Sequence, residues 1–137
     1  MFKKVHIFRV KPGQELLAAV KEYCVAQGVT SGIVLGIIGS ATKATLNFLV
    51  SLPGHYVPRE FSGHLEIVAA QGSIAQLKGE TSLHIHIQLA TQENSYGGHL
   101  AAATIFSTAE VVIGELDYQL RRQPDSYTGL NELLENK

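Results

Sequence analysis

Tryptophan is absent from this chain, and cysteine and methionine occur once each. A lone cysteine, Cys24, cannot close an intramolecular disulfide, which fits a reducing compartment and sets a cytoplasmic location as the expectation. Its place on the apolar side of a predicted helix reads as a buried structural thiol rather than a nucleophile. Charged side chains are also scarce, at 17% against an average of about 25% for globular proteins. That deficit points to surface buried in an oligomer. Eleven basic residues face twelve acidic ones, for a net charge of -1, and no basic stripe of the kind that tracks phosphates is present. Lys3-Lys4 and Arg121-Arg122 are two-residue clusters and read as solvated faces. Long apolar runs are missing as well: Ile33 to Ile38 falls far short of the ~20 residues of a membrane span. The opening MFKKVHIFRV alternates and offers no signal-peptide block.

What remains is a chain of 137 residues, 45% of them hydrophobic. That is enough for one core and one domain, expected over residues 1–137. Residues 2 to 10 alternate, with Val5 and Ile7 on one face and His6, Phe8 and Val10 on the other, so a strand is expected with His6 on its surface. Pro12-Gly13 breaks it. Leu16, Leu17, Val20, Tyr23 and Cys24 then recur at helical spacing until Gly28 supplies a stop. Ile33 to Ile38 lacks polar alternation and reads as a strand covered on both faces, ended by Gly39-Ser40. A strand over Thr45 to Ser51 follows, then a loop holding His55, then a hairpin of His64 to Ala70 and Ser73 to Leu77 turning near Gln71-Gly72. Leu83 to Leu89 alternates cleanly. After a polar loop from Thr91 to Gly98 come apolar segments at Ala101 to Phe106 and Val111 to Leu116, a strand-like Tyr118 to Arg122, and a short helix from about Gly129. One early helix among many strands predicts an α+β fold with a mainly antiparallel sheet.

Histidines at i and i+2 of a strand project from the same face, so His84 and His86 form a two-ligand edge for a metal at ~2.0 to 2.1 Å. His99 lies 13 residues after His86, behind Gly97-Gly98, which let the backbone approach closely and turn a third ring inward. On spacing alone a metal site and a chance pair on a solvated strand face stay equally open. Glu66 and Glu110 are the carboxylates that suit a proton carrier beside a metal, against the alternative of strand-edge charges. Arg9 suits a bidentate grip on an anionic substrate, or a surface ion pair. Ser40 has no basic partner nearby, and His55 and His64 read as loop and strand surface.

The segments Phe8 to Leu16, Ile37-Ile38-Gly39-Ser40, Leu65-Glu66-Ile67, Leu83 to Ile87, Gly97-Gly98-His99-Leu100 and Ala109-Glu110-Val111 together resemble the PPC domain, the plants and prokaryotes conserved domain. The resemblance runs from about Lys3 to Leu130. It implies an α+β domain assembled as a homotrimer, with a metal site in prokaryotic members built from the His-x-His pair and the Gly-Gly-His histidine. His84, His86 and His99 fill those positions. The family also brings DNA binding, through plant members that join this domain to AT-hook segments; no Arg-Gly-Arg-Pro-type core occurs in this sequence. A more distant similarity is to acetolactate decarboxylase, a zinc enzyme. Three neutral imidazoles leave a fourth position for water or substrate, as in catalytic zinc sites. Three readings follow: a trimeric zinc protein taking a small ligand, in the manner of a zinc-dependent lyase or hydrolase; a DNA-binding regulatory module; and a scaffold stiffened by its metal.

Overall fold

The computed structural model describes residues 1–134. Its elements run β1 (Phe2–Val10), α1 (Leu16–Gln27), β2 (Gly32–Ser51), β3 (His55–Leu77), β4 (Glu80–Ala90), β5 (Ser95–Leu116), β6 (Arg122–Pro124) and β7 (Asn131–Leu133). The five long strands form one antiparallel sheet in the order β1-β5-β2-β3-β4. A further pairing of β4 with the start of β5 closes the sheet on itself. Closure leaves no free edge along that part of the sheet.

Three of these strands are far longer than the sequence suggests, at 20, 23 and 22 residues for β2, β3 and β5. Glycine accounts for part of the difference in β2 and β3. Gly39 does not end β2; it takes φ +154°, and a Cβ there would overlap the Thr108 carbonyl of β5. Gly72 does not turn a hairpin; it stays within β3, opposite Ile85, where a side chain would overlap the His84 carbonyl. Both glycines mark close backbone approach between bent strands rather than a break.

The helix forms as its spacing predicts. The Glu15 carboxylate accepts from the backbone N–H groups of Leu17 and Ala18 at 3.0 and 2.9 Å, and Gly28 ends the helix in the left-handed region at φ +70°. Glu15 also accepts from the Ala103 N–H of β5 at 2.9 Å, which ties the helix start to the sheet. Leu16, Val20 and Cys24 enter the core among Val34, Ile37, Ile74, Ile85 and Ile113. Burial pushes the Cys24 thiol up to about 11, as befits a structural cysteine.

Two expectations about faces change. His6 is 3% exposed, with Nε2 3.0 Å from Glu115 and Nδ1 3.1 Å from the Tyr23 hydroxyl. Period two shows that Val5 and Ile7 oppose His6, but not which side meets the core. Ile33, Leu35 and Ile38 lie exposed on the outer side of β2, so that strand is covered on one face only.

The short helix expected from Gly129 is absent among the described residues. The Asp125 carboxylate accepts from the N–H groups of Tyr127 and Thr128, and Gly129 adopts φ +70°. The chain then returns as β7 to pair with β6. Leu130, Leu133 and Leu134 mimic a helical period, but this turn directs them into a two-stranded ribbon. Residues 135–137, which the expected helix would also have included, lie outside the described residues.

Candidate metal centre

β4 and β5 are joined by Thr91 to Asn94, and the Thr91 hydroxyl accepts from the Asn94 N–H at 3.0 Å. The hairpin begins pairing immediately, Ala90 with Ser95, and four residues further along each strand His86 stands directly opposite His99. The expected loop through Gly98 is therefore strand from Ser95 onward. Directly opposed residues have Cβ atoms about 4.5 to 5.5 Å apart, and His84 lies one pleat further along the same face as His86. Gly98 leaves room for Phe48 and Leu46 of β2, which a Cβ would meet at 3.3 and 3.4 Å.

The three rings converge. Ring centroids lie 5.1 Å apart for His84–His86, 5.1 Å for His84–His99 and 5.5 Å for His86–His99. One nitrogen from each falls within 4.8 Å of the other two. The Nε2 atoms of His84 and His86 are 3.1 Å apart. Two nitrogens each about 2.0 to 2.1 Å from one ion at a near-tetrahedral angle would stand about 3.3 to 3.4 Å apart, so the observed gap suits neighbouring ligands. Nδ1 of His99 is buried without a hydrogen-bond partner. Burial, with the neighbouring His99, Arg122 and His86, holds His84 down to about 4, and burial together with His86 lowers His99. His84 and His99 are thereby neutral near pH 7, the state that ligates metal.

A cavity of about 430 Å³ opens over the rings. Asn47, Leu49 and Tyr56 come from β2 and β3, while Arg122, Leu130, Asn131 and Glu132 come from the C-terminal ribbon and the turn before its second strand. Arg122 was legible only as half of a basic pair, yet it is 8% exposed. Its NH1 donates to the Asn131 carbonyl at 3.1 Å and its NH2 to the Ser73 hydroxyl at 2.6 Å. A run of two arginines carries no signal for this; only the return of the ribbon over β3 buries one of them.

Glu66, Glu110 and Arg9 are all exposed and do not line this cavity. Glu66 pairs with Ser40 and Ala90, and Glu110 lies between Arg9 and Ile38 in the sheet. Arg9 donates from Nε to the Thr108 hydroxyl at 2.9 Å and from NH2 to the Ser107 carbonyl at 3.1 Å. His55 and His64 are exposed and outside the cluster.

A closed antiparallel sheet with three histidines converging from one hairpin defines a small β-rich domain whose cluster could hold a metal ion. Residues 1–117 match the Plants and Prokaryotes Conserved (PCC) domain model, and the chain belongs to that family. It is 34% identical over 133 residues to the bifunctional protein GlmU of Synechococcus sp. strain JA-3-3Ab; the match covers 95% of this chain but only 20% of that protein, so the chain spans about a fifth of its length. Among solved structures, the metal-containing protein AF0104 of Archaeoglobus fulgidus superposes with a TM-score of 0.90 at 26% identity, covering 98% of this chain and 96% of that one. A candidate DNA-binding protein of Bacteroides thetaiotaomicron gives 0.89 at 25% identity, covering 97% and 95%. A Staphylococcus aureus protein similar to alpha-acetolactate decarboxylase shares the fold at a TM-score of 0.54 and 16% identity, over 88% of this chain and 55% of that one.

Proposed function

We propose that residues 1–137 form one PCC domain whose His84, His86 and His99 hold a single divalent ion, zinc, and that its open side takes a small ligand. The observation that carries this reading is the convergence of the His84, His86 and His99 rings, one nitrogen of each within 4.8 Å of the other two, with Nδ1 of the half-buried His99 left without a hydrogen-bond partner among the described residues. A buried nitrogen left without a partner costs about 1 to 3 kcal/mol, and an ion held by that nitrogen would remove the cost. The donor set is all imidazole, which suits zinc, and among the described residues it contains no thiolate or fourth protein ligand of the kind that closes a structural site. The metal-containing relative from Archaeoglobus supports the same reading.

Bound zinc supplies Lewis acidity and an acidified water, the chemistry of zinc hydrolases and lyases. The chain's own contribution is geometric. The β4–β5 register fixes two ligands across the ladder, His84 adds the third from the same face, and the ribbon restricts the approach of water and ligand. Metal analysis of untagged protein, with ligand density at the open coordination position, tests this reading.

The same proposal includes a cytoplasmic homotrimer. Val5, Ile7, Ile33, Leu35 and Ile38 lie exposed on the outer side of β1 and β2, with Ile7 72% and Ile38 54% exposed. Through β5 they are near neighbours, Val5 and Ile33 flanking Gly114 and Ile7 pairing with Val112. Contiguous apolar surface of this kind marks an interface.

DNA binding is the second reading, favoured by the Bacteroides neighbour. The net charge of -1 weighs against it, because phosphate contacts need a concentration of Lys and Arg.

A further inference from the structure

Two buried side-chain atoms lack a hydrogen-bond partner among the described residues, Nδ1 of His99 and Nε of Arg122, and both residues line the same cavity. A zinc ion held by Nδ1 would answer the first. It does nothing for the second, since a cation cannot satisfy a donor and adds positive charge beside a guanidinium.

Arg122 carries its charge at 8% exposure with only neutral acceptors on its nitrogens, the Asn131 carbonyl and the Ser73 hydroxyl. No ion pair within 4 Å neutralises it among the described residues, although Glu132 lies in the same wall. A buried unpaired charge is expensive, and the natural remedy is an anion. Three neutral imidazoles leave a divalent ion's charge uncancelled as well. With the ion bound, the wall sums to an excess of positive charge even after Glu132 is counted. Beside the polar Asn47, Ser82 and Asn131, the residues Leu49, Tyr56, Leu83 and Leu130 give the wall an apolar part, which suits a carbon body better than an inorganic ion.

We propose that Arg122 is the anion-binding residue of this cavity and that the ligand is a small organic carboxylate, held between its guanidinium and the metal, with a short apolar body against the leucines. This rests on the three-histidine metal reading and deepens it by naming the ligand class. The matched family segment ends at residue 117, so Arg122, Leu130, Asn131 and Glu132 all belong to the part of the chain beyond it. Ligand choice thus resides in the ribbon, separate from the hairpin that holds the metal.

The test begins with zinc content, then titrates butyrate, its neutral isostere butyramide, and inorganic phosphate into the zinc-loaded protein by calorimetry. Butyrate should bind, with butyramide and phosphate at least tenfold weaker. Arg122→Gln should keep its zinc and lose at least tenfold in butyrate affinity, while Arg122→Lys, which keeps the charge but not the fork, should lose less. Glu132→Gln should tighten butyrate, because it removes a like charge; a merely structural role for the ribbon predicts no gain. If Arg122→Gln loosens the ribbon, the Glu132→Gln result still decides. Full zinc with butyrate affinity unchanged in Arg122→Gln and Glu132→Gln would overturn the inference alone. Phosphate binding tighter than butyrate would overturn the carboxylate assignment, and a protein that takes up no zinc would remove the metal reading and this inference with it.

Discussion

His86 of β4 and His99 of β5 are direct partners across an antiparallel ladder whose register is set by a four-residue turn. Their convergence is therefore built into the hairpin and does not wait for a distant loop to fold over. His99→Ala should remove most of the bound zinc, as should His84→Ala and His86→Ala, whereas His64→Ala and His55→Ala should leave a full complement. Metal analysis after dialysis reads the difference; zinc retained by the His99 variant would sink the shared site.

Gly72 ties the fold to the same centre, because a Cβ there would overlap the carbonyl of His84 itself. Gly72→Ala should cost about 1 to 3 kcal/mol in stability through the forced separation of β3 from β4, and should weaken zinc uptake as His84 shifts. Gly36 has open space at its Cβ, so Gly36→Ala is the control and should be near neutral in a denaturant titration.

The Glu115 carboxylate sits 3.0 Å from His6 Nε2 and accepts from Lys3 at 2.9 Å, and these hydrogen bonds, that to His6 foremost, hold it below the usual carboxylate range. A carboxylate accepts only, so the His6 Nε2–H donates to it. A lowered pKa in the folded state gives stability that is present above the unfolded value of about 4.3 and is lost as pH falls through the folded value. The gap in unfolding free energy between wild type and Glu115→Gln should hold from pH 7 down to about 5 and narrow below about 4. A gap that widens on acidification would contradict the assignment.

Ile7 lies at the most exposed point of the outer apolar face. Light scattering at micromolar concentration should give three chain masses for the wild type. Ile7→Glu should shift the mass toward one chain, since a charge buried at an apolar interface without a partner is disfavoured by several kcal/mol. A wild-type mass of one chain would end the trimer reading.

With nearly balanced charge, any DNA binding should be weak and indifferent to sequence. A mobility or anisotropy titration should give a dissociation constant no tighter than micromolar at physiological salt, because few counterions are released. Nanomolar affinity with a steep salt slope would promote the regulatory reading.

The alternation of Leu83 to Leu89, the helical spacing of Leu16 to Cys24 with its Gly28 stop, and the His84–His86 pair are local patterns, legible in the order of residues alone. Local patterns repeat every two or 3.6 residues and need no partner to be read. Tertiary structure alone decided which face of each strand meets the core: it buried His6 against Glu115 and left Ile33, Leu35 and Ile38 outside. Only strand pairing revealed Gly39 and Gly72 as points of close approach rather than turns, because the clash they avoid involves atoms far away in the chain. Arg122 is the clearest case. Nothing in Arg121-Arg122 separates one residue from the other; Arg122 gained its place over the histidines when Gly129 turned the chain back and the hydroxyl of Ser73, 49 residues away, accepted a hydrogen bond from its guanidinium.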